Sequence, residues 1–389
     1  MPYENPADWV AAPTVPAPRP LMPTPTRPAR ASDLDRLVAI EELAFQTDRI
    51  SRRSFRAFME RKTAMLHVIE QEGEVAGYFL VLFRRNSALS RLYSIAVHPG
   101  CSGHGLGTQL LQAAEQAAFE GGRFVLRLEV REDNPGAIAL YRKHGYREWG
   151  RYLDYYEDHT DALRFEKVLR GDAEVESNVP YFPQSQEFTC GPACLMMALA
   201  HFQPNYRWDA VEEIRIWRES TTIFMLSGPG GCGPLGLALA AQRRGLHVKV
   251  LLSHEGPLFL DSVRSPAKRE VMELAQTDFR QRIETSDIPV EYRSLDLNDL
   301  RETLARGGLA LVLISAFQML GVKVPHWVLV IGDTGTHFVI HDPFVDYEVS
   351  ETPADCSSLP ISHSLFLGMA QFGKQGLRAC LLVHEEPLP

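Results

Sequence analysis

One stretch narrows the possible folds more than any other. The extended, β-branched and aromatic run Leu89–Val97 stops at His98-Pro99-Gly100, and Ser102-Gly103-His104-Gly105-Leu106-Gly107-Thr108 and a helix-forming segment, Gln109–Phe119, follow. A strand, a glycine-rich turn and a helix start, in that order, aim free backbone N–H groups and the positive helix end at an anion. Glycine lets the backbone approach a phosphate with no Cβ in between. Alone, such a cluster can be a plain turn. The next block adds to it: a strand over Arg123–Val130, then Asn134-Pro135-Gly136-Ala137-Ile138-Ala139-Leu140-Tyr141 and a helix ending at His144-Gly145-Tyr146. Upstream, a short extended piece begins near Thr24, and Ser32 is placed to cap a helix whose apolar face holds Leu37, Ile40, Leu43 and Ala44. Two strands, Ala64–Glu70 and Ala76–Phe83, join at Gly73.

The stretches Leu92–Leu111, Leu128-Glu129-Val130-Arg131 and Asn134–Tyr146 resemble the GNAT family of N-acetyltransferases, in particular its ribosomal-protein alanine N-acetyltransferase branch, over residues 24–170. The resemblance implies acetyl-CoA as co-substrate and a splayed, mixed sheet. It further implies that the backbone of Ile95, Ala96 and Val97 pairs with the pantetheine arm. Gly103, Gly105 and Gly107 would hold the pyrophosphate, with His104, Leu106, Thr108 and Asn134 completing the cofactor site. One position departs from the family: Ser102 stands before the glycines where Arg or Gln is usual. Because backbone amides do most of the phosphate binding, acetyl-CoA binding is expected to survive.

Acetyl transfer to an amine needs a base, since a protonated amine is no nucleophile, and an acid for the departing thiolate. The resemblance puts Glu129 at the base position, acting through water, and Tyr141 at the acid position. Their ordinary alternatives are an exposed strand residue and a packing ring. His104 could also serve as a base, but a histidine in a phosphate loop more commonly faces solvent or the nucleotide.

A chain of 389 residues exceeds what one core usually serves. The polar, acidic run at residues 171–177 reads as a linker, with a second domain over 178–389. That domain opens with Val179-Pro180-Tyr181-Phe182-Pro183-Gln184-Ser185-Gln186-Glu187-Phe188-Thr189-Cys190-Gly191-Pro192-Ala193-Cys194 and runs into an apolar helix. Pro192 suits a first helical turn, where its missing N–H costs nothing, so Cys190 is expected at the helix N-terminus, a place that favours a thiolate. A lone cysteine is usually a small buried apolar residue. Here two further features accompany it: Pro325-His326-Trp327-Val328 leading an apolar strand, and His341-Asp342-Pro343 closing the next. A base at one strand's start and a carboxylate at its neighbour's end can meet across the pair.

With Gln184 six residues before Cys190 and the glycine loop, helix and exit of Gly231–Val250, this half resembles papain-like peptidases that remove double-glycine leaders inside bacteriocin-exporting ABC transporters. The resemblance implies Cys190 as nucleophile, His326 as base and then acid, and Asp342 as the group that orients His326. Gln184 and the Cys190 N–H would form the oxyanion hole, with Gln186 as a competing donor. His341 alternates with inward apolar positions and precedes the expected acid, while Cys194, one turn after Cys190, reads as core. The segment Glu255–Asp287 has no clear counterpart in the compact family and is a candidate cover for the cleft. The transporters' membrane spans and ATPase are absent from this sequence, which leaves a leader-peptide substrate open.

The expected fold class is therefore α/β followed by α+β: a GNAT mixed β-sheet domain and a papain-like cysteine peptidase domain. The first 23 residues contain seven prolines and lack the basic start and apolar run of a secretory signal, so a disordered, polyproline-leaning tail is expected. A formal charge of −9 without a long basic run argues against nucleic acid as the main partner. No segment approaches the ~18 consecutive apolar residues of a membrane span. Six scattered cysteines without a C-x-x-C pair suggest reduced thiols in a cytoplasm and no metal site. The implied partners are a peptide or small amine, with peptide-modifying enzymes as candidates. The leading reading is a bifunctional enzyme. A catalytically silent peptide-binding half, or a cysteine acyl or amide transferase, stands beside it.

Overall fold

The computed structural model describes residues 26–83, 87–103, 105–171, 177–222, 230–260, 263, 265–320, 323–349, 351–373 and 375–386. The expected tail (1–23), His104 and residues 172–176 of the expected linker lie outside them. The described elements fall into two compact units.

The first unit runs β1 (Thr26–Pro28), α1 (Leu34–Ala44), α2 (Arg52–Glu60), β2 (Ala64–Gln71), β3 (Glu74–Phe83), β4 (Leu89–Val97), α3 (Leu106–Glu120), β5 (Val125–Arg131), α4 (Pro135–Lys143), β6 (Arg147–Tyr152) and β7 (Ala162–Val168). Its sheet has the order β1-β2-β3-β4-β5-β7-β6, antiparallel throughout except for the parallel pair β4–β5. β3 is apolar on both sides because both are covered, so it reads as a continuous run and not as an alternation. Val75, Tyr78 and Leu80 pack with Leu37 and Ile40 of α1 and Phe55 of α2, while Ala76, Phe79 and Val81 pack with Leu110 and Ala114 of α3. Gly77 permits the close approach of α3, since a Cβ there would lie 2.9 Å from Leu110 Cδ1 and 2.7 Å from the Ala96 carbonyl oxygen.

The start of α1 corrects two expectations. Asp33, not Ser32, occupies the N-cap, and its carboxylate accepts the Arg30 N–H at 2.7 Å and pairs with Arg27. An ionised carboxylate closes that turn with two charge-assisted bonds, which a serine hydroxyl cannot match. Leu43 is 59% exposed, and the buried face instead continues through Leu34 and Glu41.

The second unit runs α5 (Cys190–Phe202), α6 (Ala210–Ser220), α7 (Pro234–Arg243), β8 (His247–Leu252), α8 (Pro266–Glu284), β9 (Val290–Tyr292), α9 (Leu297–Ala305), β10 (Leu309–Ser315), α10 (Phe317–Leu320), β11 (Pro325–Asp333), β12 (His337–His341), α11 (Pro353–Cys356), β13 (Leu359–Ser362), α12 (His363–Met369) and β14 (Ala379–His384). The sheet order is β13-β12-β11-β10-β14-β8-β9, with β8–β9 its parallel pair. α5 packs against β10, β11 and α7. It is apolar all round because it runs through the core, with Cys194, Leu195, Met197 and Leu199 fully buried. Within Glu255–Asp287 lies α8, which buries Met272, Phe279 and Ile283 and whose Gln276 clamps both backbone groups of Leu258.

Candidate active sites

In the first unit, β4 and β5 begin side by side and then part. Their register runs Leu89↔Val125, Ser90↔Leu126 and Arg91↔Arg127 and stops. Beyond it, Ile95, Ala96 and Val97 pair with Phe79, Tyr78 and Gly77 on the β3 side only. Their β5-facing backbone groups have no strand partner, which leaves an edge an extended ligand can join. A bulge at Tyr93, between the pairs Val81↔Leu92 and Leu80↔Ser94, adds local twist at the parting.

The glycine loop follows. Gly103 and Gly105 have φ of +85° and +75°, conformations costly for other residues, and a Cβ on either would meet nothing within 4 Å. Gly105 is the N-cap of α3 and has no capping side chain, so the N–H groups of Leu106, Gly107 and Thr108 in the first turn are available to an anion. The Leu106 side chain is buried, so its contribution is confined to backbone. Asn134 caps α4, its Oδ1 accepting the Ala137 N–H at 3.1 Å, which leaves its amide nitrogen as the donor. Open space at both left-handed glycines, the free strand edge and the uncapped helix start all fit a CoA molecule.

Tyr141 on α4 is 5% exposed and packs edge-on against Tyr146 at 5.6 Å. Burial holds its phenol well above the usual tyrosine range, so it keeps its proton at neutral pH. Glu129 is not a free carboxylate: Arg91 Nε donates to it at 2.7 Å, and the same guanidinium reaches the Tyr155 hydroxyl at 2.6 Å. Arg164 lies directly across from Glu129 on β7.

Sequence reasoning missed a buried network behind the bulge. The Tyr78 hydroxyl bonds to Ser94 Oγ at 2.8 Å and to the Glu41 carboxylate, which also accepts the Ile50 N–H at 2.8 Å. Burial raises Glu41 above the ordinary carboxylate range despite those two bonds. Its one signal in the chain was position, a glutamate four residues after Leu37 on the core side of α1.

The second unit brings three predicted residues together. Cys190 is the first residue of α5, as Pro192 in the first turn requires, and is 7% exposed. Gly191 is needed beside it, because a Cβ there would come within 2.8 Å of Leu237 Cδ1 and 3.2 Å of Trp327 Cδ1. His326 opens β11, and Asp342 directly follows β12, which pairs with β11 through Leu329↔His341. The His326 Nε2–Asp342 Oδ1 distance is 2.7 Å, with both residues buried. An ionised carboxylate only accepts, so Nε2 carries the proton and Nδ1 remains for the thiol. Burial opposes charge on His326, but the Asp342 charge and hydrogen bond, aided by the neighbouring Cys190, outweigh it and push the imidazole up to about 10. Asp342 is itself fixed by the Phe344 N–H on Oδ1 at 2.9 Å and the Tyr181 hydroxyl on its carbonyl at 2.7 Å.

Gln184 lies next to this group, its N–H donating to the Pro343 carbonyl at 2.8 Å. Its side-chain Nε2 donates to the Gln186 carbonyl at 2.8 Å, and a carboxamide nitrogen has a second hydrogen to give. Gln186 is exposed and forms the turn into α5 with Thr189. His341 is structural: Ser358 N–H donates to its Nδ1 and its Nε2 bonds to the Val179 carbonyl. Cys194 is fully buried against the Trp327 carbonyl, and burial holds it well above the usual thiol range, as it does Cys232, Cys356 and Cys380. Among the described residues there is no cluster of histidine, cysteine or carboxylate that could hold a metal, and no helix long and apolar enough to cross a membrane.

The first unit has a GNAT-like mixed α/β sheet. The chain belongs to two families: the Acetyltransferase (GNAT) family, whose model matches residues 34–146, and the Peptidase_C39 like family, whose model matches residues 179–384. It is 32% identical over 138 residues to a Bacillus subtilis protein carrying the name ribosomal protein bS18-alanine N-acetyltransferase, covering 35% of this chain and 90% of that one. An N-alpha-acetyltransferase of Sulfurisphaera tokodaii is 34% identical over 147 residues, covering 35% and 87%. The crystal structure of the ribosomal-protein-alanine N-acetyltransferase from Brucella melitensis aligns with a TM-score of 0.34 at 28% identity, covering 37% of this chain and 99% of that one. The first domain is thus an N-acetyltransferase, and enzymes of its family use acetyl-CoA.

Proposed function

We propose that the chain is a bifunctional peptide-processing enzyme, in which a cysteine peptidase hydrolyses a peptide bond and the acetyltransferase domain acetylates the amine of a peptide N-terminus. The observation that carries the peptidase half is the 2.7 Å bond from His326 Nε2 to Asp342, beside a cysteine at a helix start. In this reading Cys190 Sγ attacks the scissile carbonyl, and His326 takes the thiol proton at Nδ1 and passes it to the leaving amine. The thioester so formed is opened by water that loses its proton to His326. The Cys190 N–H and the second amide hydrogen of Gln184 stabilise the oxyanion.

In the first domain, acetyl-CoA supplies an acetyl group activated as a thioester. The loop from Gly103 to Thr108, outside whose described residues His104 falls, holds its phosphates, Ile95–Val97 align its arm, and Asn134 adds a donor. Glu129 accepts the amine proton through water, and Tyr141 donates a proton to the departing sulfur. Because the Arg91 Nε bond already engages the Glu129 carboxylate, a water relay suits it better than direct abstraction at long reach.

The two activities connect chemically, since hydrolysis of a peptide bond creates a new α-amine. The closeness of the Cys190, His326 and Asp342 group supports catalysis over a silent binding module. A link to double-glycine leader removal rests on the family's name and the motif order. Six cysteines free of disulfides suit a reducing compartment, and a cytoplasmic site is proposed on that ground.

A peptide library treated with the full chain in heavy-oxygen water tests this reading by mass spectrometry. Hydrolysis puts one heavy oxygen in each new carboxyl terminus, and with acetyl-CoA present the new N-termini gain acetyl groups. Uncleaved peptides, or products joined to amines without label, would exclude the hydrolase reading.

A further inference from the structure

Along β5 of the first domain, Leu126, Leu128 and Val130 face α3, while Arg127, Glu129 and Arg131 alternate onto the opposite face. That face carries a groove lined by Arg61 and Lys62 after α2, Ser90 and Arg91 on β4, and Arg127 and Glu129 on β5. Glu129 neutralises Arg91, and the buried Glu166 accepts Arg127 at 2.8 Å and also pairs with Arg147. Arg61 and Lys62 are exposed and have no carboxylate partner among the described residues. Arg164, opposite Glu129, is held between the rings of Trp149 at 3.4 Å and Tyr152 at 4.1 Å, and its buried Nε has no hydrogen-bond acceptor. Burial keeps this guanidinium below the ordinary arginine range, outweighing the nearby Glu129 and Glu166 charges. Positive charge therefore exceeds negative around Glu129, in a chain whose formal charge is −9.

The groove contains the carboxylate assigned to the acceptor amine, so whatever follows that amine must lie across these cations. It opens away from α3, whose N-terminus belongs to the phosphate loop, so the cofactor's phosphates do not account for it. Peptide carboxylates match fixed, aromatic-supported guanidiniums in geometry and charge. We propose that the groove selects acidic peptide N-termini, with carboxylate side chains in the residues just after the acetylated amine. Arg61 and Lys62 attract and orient the chain, while Arg164 and Arg127 flank its first residues. This rests on the reading that the acceptor is a peptide amine.

The test measures acetyl transfer by the full chain to three peptides sharing one first residue and bearing Asp and Glu, Asn and Gln, or Lys at the next three positions. Free glutamate serves as a fourth acceptor. The acidic peptide should exceed its amide counterpart in kcat/KM by about tenfold or more at low salt, through KM, with the gap closing as salt screens it. In the double variant Arg61→Glu, Lys62→Glu the preference should shrink or invert, with acetyl-CoA affinity reporting that the domain is folded. Equal rates for the three peptides would overturn the proposal and leave the peptide-amine reading standing. Faster acetylation of free glutamate than of every peptide would overturn both.

Discussion

In the first domain the cradle is made of backbone: two left-handed glycines, an uncapped helix start and a strand edge left open where β4 leaves β5. In the second, the site is made of side chains, a thiol, an imidazole and a carboxylate brought from α5, β11 and the end of β12. The difference governs how each should fail. A backbone site should tolerate loss of most side chains but not a change in φ. A side-chain site loses its chemistry with a single sulfur atom.

The sharpest way to separate them is Cys190→Ala. It should lower hydrolysis by about 10⁴-fold or more while acetyl transfer to a supplied peptide continues at the wild-type rate, both followed by mass spectrometry. A comparable loss in both activities would mean that the two sites are not independent. For Tyr141→Phe the expected result is a drop in acetyl transfer of about 10²-fold with acetyl-CoA affinity kept, since the hydroxyl matters only as the sulfur leaves. Wild-type turnover at every pH would assign the acid role elsewhere.

Gly105→Val probes the backbone site. Nothing in the protein would touch the new Cβ, so the cost comes from φ, roughly 1–2 kcal/mol, and from the ligand's close approach. Acetyl-CoA binding in calorimetry should weaken by about tenfold or more; undiminished affinity would remove the loop assignment.

The smallest effect concerns stability and pH. His326 is raised to about 10 from an ordinary 6.5, so its charged form is favoured by folding. The resulting stabilisation is complete below pH 6.5 and is lost as pH rises through about 10. Asp342→Asn should flatten that decline in chemical denaturation curves, and an unchanged slope would argue against the pair.

The contiguous features were the legible ones. The loop from Ser102 to Thr108 and the helix after Asn134 sit within short windows, where glycine, proline and capping chemistry act locally. The meeting of His326 with Asp342 could be read because β11 and β12 are adjacent strands joined by a short turn. What stayed hidden depends on burial. Glu41 and Tyr78 look like a surface carboxylate and a packing ring until the sheet covers them. β6 and β7 carry Arg147, Arg151, Arg164 and Lys167 among their residues and resemble a solvated stretch. Trp149 and Tyr152 turn Arg164 into a half-buried strand residue, a contact with no local signature. Leu43 shows the converse error, an apolar residue at helical spacing that faces solvent. The engagement of Glu129 by Arg91 likewise needed the register of β4 with β5.

The most direct measurement of the central claim is alkylation of the intact protein by iodoacetamide, read cysteine by cysteine. Four thiols, Cys194, Cys232, Cys356 and Cys380, are buried and held above the usual range, so Cys101, half-buried, is the internal competitor. Cys190 should label first near pH 7. His326→Ala should slow that labelling markedly, and Asp342→Ala should slow it less, because it removes orientation while leaving the imidazole. Labelling of Cys190 no faster than Cys101, unaffected by His326→Ala, would contradict the peptidase mechanism.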